Sequence, residues 1–267
     1  MTREWLDVPY SEKDQAKVLG ARWDQAAKRW YAPRPGMAPP ARWAALPDLP
    51  ALLPGEDRSF GPGLFVDLVP SSCWFTNARS CMAGRDWERV RRLVVGRAGR
   101  RCEVPGCGAQ EARAREIWLE VHERWEYLTG PSGRVQVLRR LVCLCTWCHT
   151  ATHFGFAGVR GVDREAFAHL LTVTGMTAAV GQRHIDAAFA LWRQRSAAAW
   201  DLDLSILTAA GVSLARPADA GATRAQTAGR ELYRARKAKT SPVPAKQTGW
   251  PWVNMQGHLD EPRPAQG

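Results

Sequence analysis

Apolar and polar residues alternate along "REIWLEVHER", residues 115–124. Ile117, Leu119 and Val121 fall on one side of an extended chain, and Trp118, Glu120 and His122 on the other. "RVQVLRRLVCLC" (134–145) reads as a returning strand, with "TGPSG" (129–133) as the turn between them. The period changes elsewhere. "DWERVRRLVVGRAGRR" (86–101) places Val90, Leu93, Val94 and Ala98 on one helical face and arginines on the other, and the helix is predicted to run directly into Cys102. Residues 163–174 and 182–198 read as two further helices. Asp163 is the expected cap of the first, and Ile185, Phe189 and Trp192 form the apolar stripe of the second. "LFVDLV" (64–69) and "WDLDLSIL" (200–207) read as strands.

Near the N-terminus, "EWLDV" reads as a strand stopped by Pro9. "SEKDQAKVLG" reads as a helix with a serine cap and a terminal glycine, and "KRWYAP" as a second strand. A β-α-β unit this small needs most of its aromatic residues inside, so Trp5, Trp23, Trp30 and Tyr31 are its expected core. Residues 35–62 are rich in Pro, Ala and Gly and read as a linker with one short helical turn. From residue 216 the pattern stops, and the basic tail, with its "RELYRARKAK" run, is expected to be disordered. The resulting organisation is α+β. It comprises a small βαβ module (1–34), a linker (35–62), a larger domain with accessory helices (63–215) and the tail (216–267).

Composition narrows the partners. The 267 residues carry a formal charge of +11, and arginine outnumbers lysine by 31 to 6. Guanidinium groups fit phosphates in a bidentate way, which favours partners with planar anionic groups such as nucleic acid. Protein partners are not legible. No secretory signal or membrane span is visible, and seven cysteines is an odd number, so reduced thiols in a cytoplasmic protein are the expectation. Closely spaced cysteines then read as metal ligands rather than disulfides.

Cys102 and Cys107, with Cys145 and Cys148, have the spacing of two zinc knuckles and form a complete four-thiolate set for a structural Zn2+. Cys143 reads as a small buried side chain, and Cys73 and Cys81 are assigned no ligand role. His149 and His153 share a helical face, and His122 sits on the strand that the zinc frame would hold against that helix. Three converging imidazoles make a site for one catalytic divalent metal, with zinc, nickel or manganese favoured over magnesium. His169, His184 and His258 read as ordinary core or surface residues. Asn77 and Arg79, in "CWFTNAR", are weaker substrate-contact candidates.

Two resemblances follow from these residues. "LDVPYSEKDQAKVLGARWDQAAKRWYAP" resembles a small uncharacterised domain family attached to DNA-primase-like and mobilisation proteins, which implies a nucleic-acid context. The helix before Cys102 and Cys107, "LEVHER" and "LCTWCHTATH" together resemble the HNH (ββα-metal) endonuclease family over roughly residues 85–156. That resemblance implies a β-hairpin and helix gripping one metal against a scissile DNA phosphate, with His122, His149 and His153 as ligands. Two positions depart from the family pattern. Glu123 stands where the family has its general-base histidine, and Arg140 where it has an asparagine. A carboxylate is a weaker base than imidazole, and arginine offers no acceptor. His122, Glu123 and Arg140 are therefore the expected catalytic set of an HNH-type DNA endonuclease. The alternative is a non-catalytic zinc-containing DNA-binding protein, such as a mobile-element accessory factor, that grips the DNA backbone with helix 86–101.

Overall fold

A computed structural model describes residues 3–33, 41–74, 77–131 and 133–214. The expected disordered tail, with its basic run and His258, lies outside the described residues, as do Phe75 and Thr76 of the "CWFTNAR" stretch. The described chain is α+β, with two three-stranded sheets.

The first sheet is built from β1 (Glu4–Leu6), β2 (Arg22–Asp24) and β3 (Arg29–Ala32), with helix α1 (Lys13–Val18) between β1 and β2. Its order is β1-β3-β2, antiparallel throughout. The sequence reading lacked β2. This strand forms because Trp23 faces Trp30 directly across the sheet, with their rings edge to face at 5.5 Å. Lys28, at φ 51°, turns the chain between them.

The expected aromatic core is corrected accordingly. Only Trp30 of the four named aromatics is buried. Trp23 lies on the outside at 40% exposure, and Trp5 and Tyr31 are half-buried. The core is Leu6, Val8, Ala16, Ala21, Trp30 and Ala32, closed by Trp43 from the segment read as linker. Trp43 supplies the apolar volume that a three-stranded sheet of this size lacks.

The second sheet contains β4 (Leu119–Gly130) and β5 (Gly133–Cys145), paired antiparallel in the expected hairpin, with a register shift at Arg124/Trp125. A short parallel strand, β6 (Asp201–Asp203), lies on the other edge of β5. Helix α2 (Gly84–Arg97) packs on the hairpin through Val90, Val94 and Val95, which join Leu119, Val121, Leu141 and Leu144 in the main core. It stops before Cys102 because Gly99 and Arg100 take φ of 59° and 56°. Helix α3 (Thr146–Thr152) leaves β5 directly. It is followed by α4 (Phe154–Arg160), α5 (Asp163–Thr174), α6 (Ala178–Ser196) and α7 (Ser205–Thr208). Asp163 is the first helical residue rather than the cap, and Thr177 caps α6 by accepting from the Val180 N–H.

"LFVDLV" is extended but joins no sheet. The Val66 N–H donates to His184 Nε2 (2.9 Å) and the Asp67 N–H to Thr152 O (2.9 Å), so helices take the bonds that a neighbouring strand would have made.

Two buried carboxylates tie the pieces together. Asp7 is fully buried, contacting Arg29 (3.0 Å) and Arg92 of α2 (2.7 Å) and accepting the Leu46 N–H (2.8 Å), so the N-terminal sheet is fastened to α2. Glu56 binds Arg97 through both oxygens (2.6 and 2.5 Å) and accepts the Leu141 N–H of β5 (3.0 Å). Burial opposes the Glu56 charge, but Arg97 and the backbone donors outweigh it and hold the carboxyl below the usual carboxylate range. A depressed folded value means that this stabilisation is complete above the unfolded value near 4.5 and is lost as pH falls through the folded one.

Glu56→Ala leaves the Arg97 guanidinium buried without its counter-charge and is expected to cost about 3–5 kcal/mol in urea unfolding at neutral pH. The deficit relative to wild type should shrink as the pH is lowered below the carboxylate range. Removing the exposed Asp14–Lys17 pair by Lys17→Ala is expected to leave the urea midpoint nearly unchanged.

Candidate metal centres

Four cysteines and three histidines meet around α3. Cys145 ends β5 and caps α3, its sulfur accepting the Cys148 N–H at 3.5 Å. Cys148 follows on the first turn. Cys102 and Cys107 arrive on the loop after α2, which folds back through Cys102 N–H to Ala109 O (2.8 Å) and Cys107 N–H to Val104 O (3.1 Å). Gly106 makes this turn possible. Its φ is 82°, and a Cβ there would lie 3.1 Å from Val173 O.

The four sulfurs all lie within 4.8 Å of one another, and Cys107 Sγ is 3.7 Å from Cys145 Sγ. Zinc–sulfur bonds of about 2.3 Å at tetrahedral angles put sulfurs about 3.8 Å apart. This pair therefore already has the edge length of a zinc tetrahedron, and all seven cysteines are free thiols. The arrangement suits a structural zinc ion. Hydrogen bonds from Cys102 and Cys148 hold the Cys145 thiol far below its ordinary range and push their own up, Cys102 to about 12.

His169 adds a contact that the sequence did not suggest. Its Nε2 lies 3.2 Å from Cys148 Sγ, within hydrogen-bond reach of the sulfur. It sits on α5, twenty-one residues on, and no local spacing links it to the cysteines. Cys143 is fully buried, as expected, and burial pushes its thiol up to about 12. Cys73 and Cys81 are buried away from the four-cysteine group.

The second cluster is His122 from β4, His149 from α3 and His153 at the α3 C-cap, whose N–H bonds to His149 O. One ring nitrogen from each lies within 4.8 Å of the others, and the ring centroids are 4.7–5.5 Å apart. His122 is 2% exposed, and neither of its ring nitrogens has a hydrogen-bond partner. Burying an unsatisfied polar group costs about 1–3 kcal/mol, a cost that a metal bond to one nitrogen would offset, so the residues fit a divalent ion. Burial, aided by the neighbouring histidines and Arg124, pulls His122 well below its ordinary value and His153 down to about 3. All three rings are thus neutral near pH 7 and keep the lone pairs that metal binding needs.

Alternation along β4 puts Glu120, His122 and Arg124 on one face and Val121 and Glu123 on the other. Glu123 stands opposite Leu141 across the hairpin. Arg140 is 5% exposed and is occupied by Glu103 Oε1 (3.2 Å) and Phe60 O (3.4 Å). It acts as a clasp on the β5 edge rather than as an accessible phosphate ligand. On the histidine face, Glu120 Oε2 lies 3.2 Å from His149 Nδ1, and both residues open to solvent. Arg124 is buried there, stacked on Phe65 and donating to Gly63 O, with Asp67 at 3.9 Å. Burial raises the Asp67 carboxyl and lowers Arg124 to about 10.

The α2 arginines are used internally as well. Arg85 and Arg89 donate to backbone oxygens of the 41–50 segment, Arg91 meets Glu88, Arg92 meets Asp7, and Arg97 meets Glu56. Asn77 accepts the Ser80 N–H, and Arg79 lies over the Trp87 ring, so both have structural partners.

Residues 3–45 match the family described as a domain of unknown function (DUF5710). Two proteins from Escherichia coli, each named DNA primase TraC, are 57% and 52% identical to this chain over 44 residues, 16% of its length. The chain spans only 3% and 4% of those relatives. No solved structure matches the chain. Among the described residues, no helix is long and apolar enough to cross a membrane.

Because Cys148 and His149 are consecutive on one short helix, the clusters are expected to fail unequally. Cys148→Ser should lose metal from both, since the α3 anchor goes with the zinc. His149→Ala should lose only the ion of the histidine cluster. Metal content by mass spectrometry after dialysis checks this, and equal losses in the two variants would contradict it.

Proposed function

We propose that the chain is a metal-dependent endonuclease of HNH type acting on double-stranded DNA. The observation that carries this reading is His122, a buried imidazole with both nitrogens unpartnered, aimed at two further neutral imidazoles. Folding alone gains nothing from such a group. Three protein ligands on a divalent ion leave coordination positions open, as catalytic sites require. The hairpin followed at once by a helix supplies those ligands in the order that the family resemblance implies.

When bound, the ion supplies Lewis-acid stabilisation of charge on the phosphate and on the departing oxygen. His122, His149 and His153 fix its place. His149 and Glu120 lie at the solvent-facing side, where a phosphodiester would approach. Water attacks phosphorus, the bond to the 3′ oxygen breaks, and the proton passes to solvent. The net charge of +11 favours the approach of the DNA backbone. The short relatedness to proteins named DNA primase supports a DNA context for the N-terminal module. The internal pairing of the α2 arginines weighs against the alternative of a non-catalytic protein that grips DNA with this helix.

Supercoiled plasmid incubated with purified protein and manganese, nickel, zinc or magnesium is expected to be nicked. His149→Ala should reduce the rate at least about 100-fold while salt-sensitive DNA binding persists. A metal-loaded wild-type protein that cuts with none of the four metals would overturn the reading.

A further inference from the structure

We infer that Glu120, and not Glu123, is the carboxylate that works with the histidine cluster, as a positioning residue that holds His149 by Nδ1 and so turns Nε2 toward the ion. The inference rests on the cluster holding an ion, but not on DNA being its substrate.

Three observations carry it. First, the pleat of β4 sets Glu120 on the face of His122, with one residue between them, and sets Glu123 on the face of Val121. Second, Glu120 Oε2 lies 3.2 Å from His149 Nδ1, so the carboxylate stands against one of the two ring nitrogens. An imidazole has a single N–H when neutral. A carboxylate at Nδ1 selects the tautomer with the proton there and leaves the Nε2 lone pair for metal. Third, Glu120 and His149 come from different elements, β4 and α3, and His122 and His153 repeat the same pairing of strand with helix end. The carboxylate thus orients a ligand whose side chain is partly exposed, whereas His122 is buried.

Outer-shell carboxylates of this kind are typically worth 10–100-fold in metal affinity. Glu120→Ala is therefore expected to weaken cobalt(II) binding at the histidine cluster about 10–100-fold in competition with a chromophoric chelator. The sulfur-to-cobalt charge-transfer band of the cysteine cluster should be unchanged. Glu120→Gln keeps an acceptor oxygen without the charge and should recover part of the loss. Glu123→Gln should bind as tightly as wild type. Long-range 15N–1H correlation spectra should show His149 as the Nδ1–H tautomer in wild type and lose that pattern in Glu120→Ala. Equal affinity in Glu120→Ala and wild type, or an equal loss in Glu123→Gln, would overturn the inference. So would an Nε2–H tautomer of His149 in wild type. These readouts do not involve DNA, so a protein that cuts no plasmid yet loses cobalt in Glu120→Ala refutes the nuclease reading and leaves this one standing.

Discussion

The arrangement depends on the meeting of four cysteine sulfurs at the first turn of α3. Cys145 is at once the last residue of β5 and the cap of α3, and Cys148 lies one turn later. A seven-residue helix has little stability of its own. Its position is set by what its ends are tied to. Cys102 and Cys107 bring the loop after α2 to the same point, so the knot of thiols joins helix, hairpin and loop. A zinc ion there would contribute folding energy directly, and it would fix the direction in which His149, the very next residue, leaves the helix.

From that anchor the histidine face of the hairpin follows. Strand alternation places Glu120, His122 and Arg124 in a row beneath α3, and the helix delivers His149 and His153 onto the row. The electrostatics are consistent with an ion at the centre. Burial keeps the rings neutral, and the buried Arg124 beneath them disfavours protonation further. Asp67 partly balances that cation. The outer supports are carboxylates: Glu56 and Glu103 accept the Leu141 and Cys143 N–H groups of β5, and the buried Asp7 fastens the N-terminal sheet to α2. Each carboxylate satisfies a backbone or guanidinium group that would otherwise be buried alone.

Much of this was legible in the sequence, for reasons that differ by residue. The alternation at 117–122, the Cys102/Cys107 spacing and the CxxCHxxxH spacing are local signals, and the hairpin, α3 and the two side-chain clusters follow from them. The family resemblance supplied roles by position, and the pleat adds a residue it did not name: Glu120 shares the face of His122, while Glu123 shares that of Val121. Arg140 was misleading because its partner, Glu103, is distant in sequence. His169 was invisible for the same reason. In the N-terminal module, aromatic content suggested a four-residue core. Sheet order places Trp23 outside and draws Trp43 in from a stretch whose prolines read as linker. Long-range packing of this kind leaves no periodic trace.

One short helix brings together two groups of side chains that could each hold a metal ion. Zinc-edge X-ray absorption on zinc-loaded protein distinguishes them. Two shells are expected together, sulfur near about 2.3 Å and nitrogen near about 2.0 Å, with the nitrogen shell lost selectively when His122 is replaced by alanine. A spectrum fitted by sulfur alone, unchanged in that variant, would contradict this expectation.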